Sequence, residues 1–560
     1  MNNKKNQSYT VATYLLQRLQ ETGIKHIFGV PGDYTLDFLD DVLKSPLSWI
    51  GTCNELNAGY AADGYSRMKG CGAASVTYGV GALSLLNAVA GAYAEHIPII
   101  IISGAPARRR RQTGALVHHL IADYDTQLDV FKKVTVDAVI LDDPAAAPEK
   151  IDRVIQKALI YKLPVYIEMP ADMSGLECRP PEPLLFSENP KSDCDNLMKS
   201  VAEAAHLINQ AKKPVVLVGA ELVRFGIQND ALRFIEHIEL PFAAMLSSKS
   251  ALPELHPQFI GIYQGAWSGE SIRHQVESSD CVLSFGVQMT DLDSGLFSCN
   301  INSNNQIAAG EGNVIIRDNR YDNVQLKDFI NSLFKEVKVR SYLNSRPEKL
   351  NFEKKKFIPE ASRKISAERF YERLNQFFND DMVLLAEPGD AFCAAPEFHI
   401  EEARNFIVQC YYSSIGYCSP AALGVSLAEP KKRPVVLTGD GAFQMTAQEV
   451  STLIKMRSSA IIFILNNDGY LIERLLHEDG AYNDIQRWNY HLLPAAFGGG
   501  DDASGIKVTT EGELENALTA ALENKTKLFL IDVILDKLDC SAGLKRLGKS
   551  FHEMMKKKTK

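Results

Sequence analysis

The sequence lacks the features that mark secreted or membrane proteins. Its ten cysteines never form a Cys-x-x-Cys pair, so we interpret them as reduced, mostly buried thiols. The strongest apolar run, residues 97–102, contains a proline and is far shorter than the roughly 20 residues that a membrane helix requires. The N-terminal residues MNNKKNQSYT have no apolar core of a secretory signal. We therefore expect a cytoplasmic protein without a membrane span.

An excess of positive charge is also missing. The formal net charge is -9, with 60 basic and 69 acidic side chains. A nucleic-acid partner would favour a basic face that meets the phosphates, so we expect no such partner. Apolar residues at 46% and aromatic residues at 9% are typical of an ordinary globular protein.

The chain of 560 residues is too long for one hydrophobic core, and three domains are expected. Short β-branched runs alternate with amphipathic stretches, a pattern that predicts the α/β class with doubly wound parallel sheets. Polar, proline-containing segments at residues 178–195 and 340–364 indicate linkers. The predicted domains are therefore 1–180, 195–340 and 365–560. Predicted strands include 25–30, 74–78, 97–103, 164–168, 214–219, 382–386, 434–438 and 460–465.

Two polar clusters follow neighbouring predicted strands of the third domain. Gly439-Asp440-Gly441 comes after strand 434–438, and Asn466-Asn467 comes after strand 460–465. Ligands bind at the carboxyl ends of strands in open α/β sheets. The Asp440 carboxylate, the Asn467 amide and the Gly469 carbonyl would give Mg²⁺ three oxygens, leaving room for phosphate oxygens and water. Each cluster alone is equally a turn sequence.

Together, the two clusters resemble the thiamine diphosphate signature, with Asp440 and Asn467 separated by 27 residues. The resemblance extends over nearly the whole chain to the thiamine diphosphate-dependent 2-oxo-acid decarboxylases, which include pyruvate, indolepyruvate and branched-chain ketoacid decarboxylases. It implies three domains of the thiamine diphosphate-binding fold type: a pyrimidine-binding domain, a middle domain and a diphosphate-binding domain. It also implies non-oxidative decarboxylation of a 2-oxo acid, with thiamine diphosphate and Mg²⁺ as cofactors. The implied assembly is a homodimer at minimum and usually a homotetramer.

The resemblance implies catalytic roles for four residues in the N-terminal part of the chain. Glu55, in CNELNAGYAADGYSR, matches the glutamate that hydrogen-bonds the pyrimidine ring, although it could equally be a helix-start residue. Asp33, in FGVPGDYTLDF, and His118 and His119, in GALVHHLIADYD, match an acid-base cluster. Histidine titrates near neutrality and suits the proton transfers of decarboxylation. The alternative is a plain turn together with one buried and one exposed histidine.

Glu473, in NNDGYLIERLLHEDG, matches a residue that lies over the reacting carbon. On an ordinary surface helix it would instead pair with His477, four residues on. Ile415 matches the apolar wedge that bends the cofactor. Plain core packing is the alternative, and the same apolar contacts would account for it. The full set of cofactor contacts implied by the resemblance is Glu55, Thr77, Asp390, Ser413, Ile415, Gly439, Asp440, Gly441, Ala442, Asn467 and Ile472.

The substrate pocket departs from the pattern of pyruvate decarboxylases. Pro388 stands where threonine or glutamine is usual, and Cys393 follows Phe392 where a second large ring is usual. The extra room suggests a branched or aromatic 2-oxo acid larger than pyruvate, although apolar pockets discriminate by only about 1 to 3 kcal/mol. A pyruvate decarboxylase and a thiamine diphosphate-dependent carboligase remain alternatives. The pocket residues implied by the resemblance are Gln288, Pro388, Phe392, Cys393, Ile472 and Leu476.

Two further motifs leave their meaning open. The four arginines at residues 108–111 could steer an anionic substrate or form a solvated loop. Gly79-Val80-Gly81 begins like a dinucleotide fingerprint, but the third glycine is missing, so a nicotinamide-dependent dehydrogenase is not favoured.

Overall fold

Three β-sheets, each covered by helices, organise the protein. The computed structural model describes residues 9–183, 190–338, 356–400, 402 and 404–558. Each sheet lies within one of the three predicted domains, and the domain bounds themselves stay a prediction. The α/β fold class is confirmed.

The N-terminal sheet has six parallel strands in the order β3-β2-β4-β5-β7-β6. The pair β1 and β8 forms a separate antiparallel ribbon. Strands and helices of this part are β1 (Tyr9–Thr10), α1 (Val11–Glu21), β2 (His26–Gly29), α2 (Leu36–Lys44), β3 (Ser48–Gly51), α3 (Glu55–Lys69), β4 (Gly72–Val76), α4 (Val80–Ala94), β5 (Ile99–Ala105), α5 (Arg108–Thr113), α6 (Thr126–Phe131), β6 (Asp137–Ile140), α7 (Ala147–Tyr161), β7 (Val165–Pro170) and β8 (Glu177–Cys178).

The middle sheet has seven strands in the order β11-β10-β9-β12-β13-β14-β15. Its first five strands are parallel, whereas β14 and β15 add an antiparallel meander at one edge. Its elements are α8 (Cys194–Gln210), β9 (Pro214–Val218), α9 (Glu221–Arg224), α10 (Gln228–His237), β10 (Phe242–Ala244), β11 (Phe259–Ile262), α11 (Glu270–Glu277), β12 (Cys281–Phe285), β13 (Gln306–Gly310), β14 (Gly312–Ile316), β15 (Asn319–Val324) and α12 (Leu326–Glu336).

The C-terminal sheet has six parallel strands in the order β17-β16-β18-β19-β21-β20. Counted along the chain, this is the same strand order as in the N-terminal sheet. Its elements are α13 (Ala367–Phe377), β16 (Met382–Ala386), α14 (Asp390–Ala394), β17 (Phe406–Val408), α15 (Cys418–Ala428), β18 (Arg433–Gly439), α16 (Asp440–Thr446), α17 (Val450–Lys455), β19 (Ile461–Asn466), α18 (Leu471–Leu476), α19 (Leu493–Ala496), β20 (Ala503–Val508), α20 (Glu511–Glu523), β21 (Leu528–Ile534) and α21 (Ala542–Lys558).

The N-terminal and C-terminal sheets are joined by the packing of α3 on α15 within one buried apolar cluster. A Cβ atom at Gly64 of α3 would clash with the backbone of Ala421, and one at Gly424 of α15 would clash with the backbone of Ala61. Glycine at both positions therefore lets the two helix backbones approach closely. The α3 helix is positioned by its start, where the Asn54 side chain caps it by accepting from the Asn57 N–H at 2.8 Å.

Several linker and loop predictions need correction. Cys178 was placed in a linker, but it belongs to β8 because its backbone pairs with Tyr9. The linker was extended to residue 195, whereas α8 already begins at Cys194, capped by the Asp193 side chain. Residues 340–355 of the second predicted linker lie outside the described residues. The arginine run, for which a solvated loop was one of two interpretations, is not a loop but the short helix Arg108–Thr113, and none of its residues is buried. None of the described helices is long and apolar enough to cross a membrane.

Candidate active site

Asp440 lies at the carboxyl end of β18, as the first residue of α16. It is 1% exposed, and its two carboxylate oxygens accept from the backbone N–H groups of Gly441 at 2.8 Å and Gly469 at 3.1 Å. Burial raises the pKa of Asp440 to about 6. No cationic side chain in the described part of the chain forms an ion pair with it. A buried carboxylate that has only neutral partners is suited to binding a cation.

Asn467 lies at the end of the neighbouring strand β19, where Gly439 and Leu465 are paired in register. Its side chain is 5% exposed, and its Oδ1 atom has no hydrogen-bond partner. Buried polar atoms without a partner are rare, because desolvation without a hydrogen bond costs about 1 to 3 kcal/mol. The sheet therefore brings an unsatisfied acceptor to the same edge as the Asp440 carboxylate.

The backbone around these two side chains is tightly fitted. A Cβ atom at Gly441 would lie 2.6 Å from the Tyr470 ring, and one at Gly469, where φ is 137°, would clash with the backbone of Asn483. Arg474 fixes the following loop by donating to the Asp468 carbonyl at 2.7 Å. The predicted members Gly439 and Ala442 flank the same turn. Glycine at both positions therefore permits the close packing of the backbone at this edge.

Ile415 and Ser413 lie on the loop before α15, which is tied to β16 by Glu387. The Glu387 carboxylate accepts from the backbone N–H groups of Gly416 at 2.9 Å, Tyr417 at 3.1 Å and Cys418 at 3.2 Å. It also accepts from the Thr438 hydroxyl, two residues before Asp440. Glu387 thus connects the predicted wedge loop to the strand that carries Asp440.

A second polar cluster lies at the carboxyl end of the N-terminal sheet. His118 Nε2 lies 2.7 Å from Asp33 Oδ2, and the Tyr34 ring stacks on the His118 ring at 4.8 Å. The His118 and His119 rings meet edge to face at 4.7 Å. Ligand atoms of Asp33, His118 and His119 all lie within 4.8 Å of one another. The structure therefore brings together the three residues predicted as an acid-base cluster.

The members of this cluster differ in exposure. Asp33 and His118 are exposed, whereas His119 is half-buried with its Nδ1 atom unpartnered. His119 also has a positive φ of 67°, which is uncommon for a residue with a side chain. The alternative of one satisfied core histidine beside an exposed one does not describe this pair.

Glu55 and Thr77 lie near each other at the same edge. Glu55 is the first residue of α3, and Oε1 would be 3.3 Å from a Cβ atom at Gly81. The same hypothetical Cβ atom at Gly81 would also lie 3.1 Å from a methyl group of Thr77. Thr77 is buried with its hydroxyl unpartnered. A second unsatisfied polar group therefore lies beside the predicted pyrimidine-binding glutamate.

Glu473 is exposed on the first turn of α18. Among the described residues its carboxylate forms no ion pair, and His477 contacts it only through the backbone. The alternative of a Glu473–His477 pair on a surface helix is therefore wrong. Phe392 and Cys393 are buried in one apolar cluster, and two predicted pocket residues, Ile472 and Leu476, pack against the same cluster. Pro388 lies at the end of β16, half-buried.

Two predicted site residues are engaged elsewhere. The Asp390 carboxylate accepts from the Tyr371 hydroxyl at 3.0 Å and from the Ser541 N–H at 2.9 Å, so it anchors the segment that leads into α21. Gln288 Nε2 lies 3.2 Å from His96 Nε2, between the N-terminal and middle sheets. The structure shows no contact of either side chain with the Asp440 or His118 clusters among the described residues.

Two buried residues were not predicted from the sequence. Glu387 directly follows a continuous apolar strand, and a carboxylate at that position could have indicated a buried functional residue. Gln127 accepts from the Gly79 N–H and donates to the Ser103 hydroxyl at 3.1 Å. It thereby fixes the turn before α4. A glutamine at the start of a short helix gave no signal in the sequence.

Comparison with known proteins bears directly on these two clusters. Residues 9–127 match the N-terminal TPP binding domain of thiamine pyrophosphate enzymes, residues 201–321 their central domain and residues 389–533 their C-terminal TPP binding domain. An alpha-keto-acid decarboxylase of Mycobacterium leprae is 36% identical, over 96% of this chain and 95% of that protein. The chain belongs to the thiamine diphosphate-dependent 2-oxo-acid decarboxylases.

Other members of this family cover the chain as fully. A probable pyruvate decarboxylase of Schizosaccharomyces pombe is 34% identical, over 97% of this chain and 96% of that protein. An alpha-keto-acid decarboxylase of Mycobacterium avium is 35% identical, over 95% of both chains. In the present chain, the His118 cluster lies in the segment that matches the N-terminal TPP binding domain. Asp440 and Asn467 lie in the segment that matches the C-terminal TPP binding domain.

Proposed function

We propose that this protein decarboxylates a 2-oxo acid larger than pyruvate, releasing CO₂ and an aldehyde, with thiamine diphosphate and Mg²⁺ as cofactors. The observation that carries the proposal is the pairing of a buried Asp440 carboxylate, which has no cationic partner, with the unsatisfied Oδ1 atom of Asn467. A divalent cation would complement both groups at once. The residues present therefore fit the proposed metal.

Asp440, Asn467 and the Gly469 carbonyl would hold Mg²⁺ and, through it, a diphosphate. The turn that runs through Gly439, Gly441 and Ala442 would let phosphate oxygens approach the backbone, because no large side chain stands there. Binding of the cation would favour the charged form of Asp440, whose pKa is raised by burial.

The N-terminal sheet and the wedge loop would hold the organic part of the cofactor. Glu55 would hydrogen-bond the pyrimidine ring, and the unpartnered Thr77 hydroxyl would offer the cofactor a further polar contact. Ile415 would press on the cofactor from the loop that Glu387 holds, and Ser413 lies on the same loop. When bound, thiamine diphosphate accepts the electron pair that remains as CO₂ leaves.

Proton transfer would fall to the Asp33, His118 and His119 cluster. The 2.7 Å contact would let Asp33 orient the His118 ring toward the substrate. Glu473 is exposed and forms no ion pair within the described part of the chain, so it would be available to the substrate carboxyl group and to protons near it.

The small Cys393 beside Phe392 supports the larger substrate. Both side chains lie in the apolar cluster against which Ile472 and Leu476 pack, and a cysteine in place of a second large ring would leave more apolar space in the substrate pocket. Branched or aromatic 2-oxo acids would fill that space. Asp390 and Gln288, by contrast, contribute to our proposal only through the elements that they hold in place.

The proposed assembly is a homodimer at minimum and a homotetramer in its usual form. Among the described residues of one chain, no hydrogen bond or ion pair joins the His118 cluster to the Asp440 cluster. A second chain would supply the missing neighbour for each. Sedimentation velocity across a range of protein concentrations tests this, and an active monomer would contradict it. The cytoplasmic location stays a prediction.

The test of the function is aldehyde release, coupled to an alcohol dehydrogenase and NADH. The panel contains pyruvate, 2-oxoisovalerate, 2-oxoisocaproate, phenylpyruvate, indolepyruvate and benzoylformate, each with and without thiamine diphosphate and Mg²⁺. Glu55→Gln should abolish turnover. The matched control is Glu368→Gln, which changes an exposed glutamate in the first turn of another helix and should leave turnover unchanged.

The panel also decides between the alternatives. The highest kcat/KM for a branched or aromatic acid supports the larger pocket, whereas the highest value for pyruvate would identify a pyruvate decarboxylase. CO₂ release without aldehyde would move the assignment to a carboligase. Turnover that does not depend on thiamine diphosphate would refute the proposal as a whole.

A further inference from the structure

Arg474 is a buried cation beside the proposed Mg²⁺ ligands. Its side chain is fully buried, and it donates to the carbonyl oxygens of Asn467 at 3.3 Å and Asp468 at 2.7 Å. A Cβ atom at Gly469 would lie 2.7 Å from its Nη2 atom. One guanidinium group therefore lies against the whole of segment 467–469, which we call the ligand loop because it carries two of the three proposed ligands.

One peptide unit links Arg474 to Asp440. It is the peptide between Asp468 and Gly469, whose carbonyl accepts from the guanidinium. Its N–H, on the opposite side of the planar unit, donates to Asp440 Oδ2 at 3.1 Å. Asp468 has a φ of 63°, and a residue with a side chain keeps such a conformation only where its surroundings hold it. Arg474 thus holds the peptide whose other side contacts the Asp440 carboxylate.

The remaining hydrogen bonds of Arg474 reach residues 479–484, which we call the acidic loop. Its partners there are Asp484 Oδ1 at 2.8 Å, Asp479 Oδ1 at 3.3 Å and the Asn483 carbonyl at 3.3 Å. A buried guanidinium is costly unless it is both paired and hydrogen-bonded. The acidic loop meets both requirements.

The acidic loop is itself fixed to its surroundings. The Tyr470 N–H donates to the Asn483 carbonyl at 2.9 Å, and Gly469 and Asp484 form an isolated antiparallel bridge. Lys537 Nζ, just after β21, lies 2.9 Å from Asp484 Oδ1. The network around the buried guanidinium therefore spans the ligand loop, the acidic loop and the end of β21.

Arg474 also belongs to α18, the helix that carries Glu473 and two predicted pocket residues. Glu473 directly precedes Arg474 and is exposed. Five hydrogen bonds hold the guanidinium, and they thereby fix the short helix from which it extends. The position of Glu473 relative to the ligand loop depends on this anchor.

We propose that Arg474 is a positioning residue that joins the Mg²⁺ site to the helix that receives the substrate. The inference rests on the proposed function. Arg474 acts through the Asp468 carbonyl on one side and through α18 on the other, rather than by contact with the reacting atoms. A lysine in its place would keep the positive charge, but its single nitrogen could not reach both loops at once.

The first test is the affinity for Mg²⁺, measured by isothermal titration calorimetry of the full-length protein with saturating thiamine diphosphate. Arg474→Lys and Arg474→Met should each weaken Mg²⁺ binding about tenfold to a hundredfold, the usual effect of losing a group that orients a metal ligand. Asp484→Asn keeps the guanidinium and removes one partner, and it should weaken Mg²⁺ binding about threefold. The matched control is Arg153→Lys, at an exposed arginine that pairs with Asp137 at 3.0 Å, and it should bind Mg²⁺ like the parent protein.

The second test separates positioning from a purely structural role. Hydrogen exchange of the cofactor-free protein should be faster at residues 467–484 in Arg474→Lys and unchanged in the N-terminal sheet. With Mg²⁺ and cofactor both at saturation, kcat/KM for the best 2-oxo acid of the panel should stay about tenfold below the parent value, because Glu473 is no longer held in place. Thermal melting verifies that each variant is folded.

The outcomes distinguish this inference from the proposed function. Parent-like Mg²⁺ affinity in both Arg474 variants, or full recovery of kcat/KM at saturating Mg²⁺, would overturn the positioning role and leave the proposed function intact. Absence of Mg²⁺ binding in the parent protein would overturn the proposed function, and the positioning role with it. If Arg474→Met does not fold, Arg474→Lys and Asp484→Asn decide.

Discussion

The N-terminal and C-terminal sheets carry the same short turn at the same place. Their strand orders are equivalent, and β2 and β16 occupy corresponding positions. Pro31-Gly32-Asp33 follows β2, and Pro388-Gly389-Asp390 follows β16. Yet Asp33 is exposed and contacts His118, whereas Asp390 is bonded to Tyr371 and Ser541. The turn sequence determines the backbone conformation, and the neighbouring elements determine which groups the aspartate carboxylate contacts.

The central strands repeat this difference. Thr77 follows β4 and Asp440 follows β18, at corresponding places in the two sheets. The N-terminal sheet therefore presents a neutral hydroxyl beside titratable side chains. The C-terminal sheet presents a buried carboxylate that has no counter-charge among the residues that the structure describes. We propose that one scaffold serves proton transfer at one site and cation binding at the other.

The largest expected effect comes from removing the charge that distinguishes the C-terminal sheet. Asp440→Asn should lower turnover by roughly a hundredfold to a thousandfold and weaken Mg²⁺-dependent cofactor binding, because the cation loses its anionic ligand. Cofactor affinity is measured by calorimetry at several Mg²⁺ concentrations. Asp501→Asn, at an exposed carboxylate near β20, is the matched control. Unchanged Mg²⁺ dependence in Asp440→Asn would contradict the cation site.

The corresponding change in the N-terminal sheet should separate turnover from cofactor binding. Asp33→Asn removes the charge that faces His118, and turnover should fall about a hundredfold, while cofactor affinity and the melting temperature stay the same. Asp37→Asn, four residues on and also exposed, serves as the control. Loss of cofactor affinity in Asp33→Asn would contradict the assignment of proton transfer to the N-terminal sheet and of cation binding to the C-terminal sheet.

The equivalent turn residue of the C-terminal sheet should affect stability. Asp390→Ala leaves the Tyr371 hydroxyl and the Ser541 N–H without their acceptor, at a cost of about 3 kcal/mol in the free energy of unfolding. Urea unfolding of the cofactor-free protein measures this loss. If stability is kept and cofactor affinity falls instead, the predicted cofactor contact of Asp390 is supported and the contrast with Asp33 disappears.

Glu387 should give a smaller effect that depends on pH. Burial raises its pKa to about 7 from an ordinary 4.5. Because the folded pKa is raised, the stabilising contribution is complete below about pH 4.5 and is lost as pH rises through 7. The loss amounts to at most about 3 kcal/mol. Unfolding free energies from pH 5 to 8 should decline less in Glu387→Gln than in the parent protein, and identical pH profiles would refute this assignment.

The predicted strands agree with the structure within about two residues at each end, because each is a buried apolar run of its sheet. Residues 382–386 coincide with β16, and 214–219 exceeds β9 by one residue. The edge strands were harder to predict, since β3 (Ser48–Gly51) is short and partly exposed. The β14–β15 meander was also missed, because its polar, exposed residues lack the apolar run of the central strands.

For the candidate site, too, only part of the arrangement could be predicted from the sequence. Gly439 to Gly441 and Asn467 were predicted to meet because carboxyl ends of adjacent parallel strands share one edge, and the register of β18 and β19 agrees. The direction of the Asp390 side chain was not predictable, because it depends on Tyr371 and on the chain before α21. Glu387 was missed since its partners are backbone groups about 30 residues away.

The close packing of α3 on α15 also has a consequence for folding during synthesis on the ribosome. Gly64 and Gly424 are 360 residues apart in the sequence. At about 5 to 20 residues per second, the ribosome needs roughly 20 to 70 s to span that distance. Throughout this interval the apolar face of α3 is uncovered. The nascent N-terminal segment therefore needs protection from aggregation, and chaperone demand should end when α15 emerges.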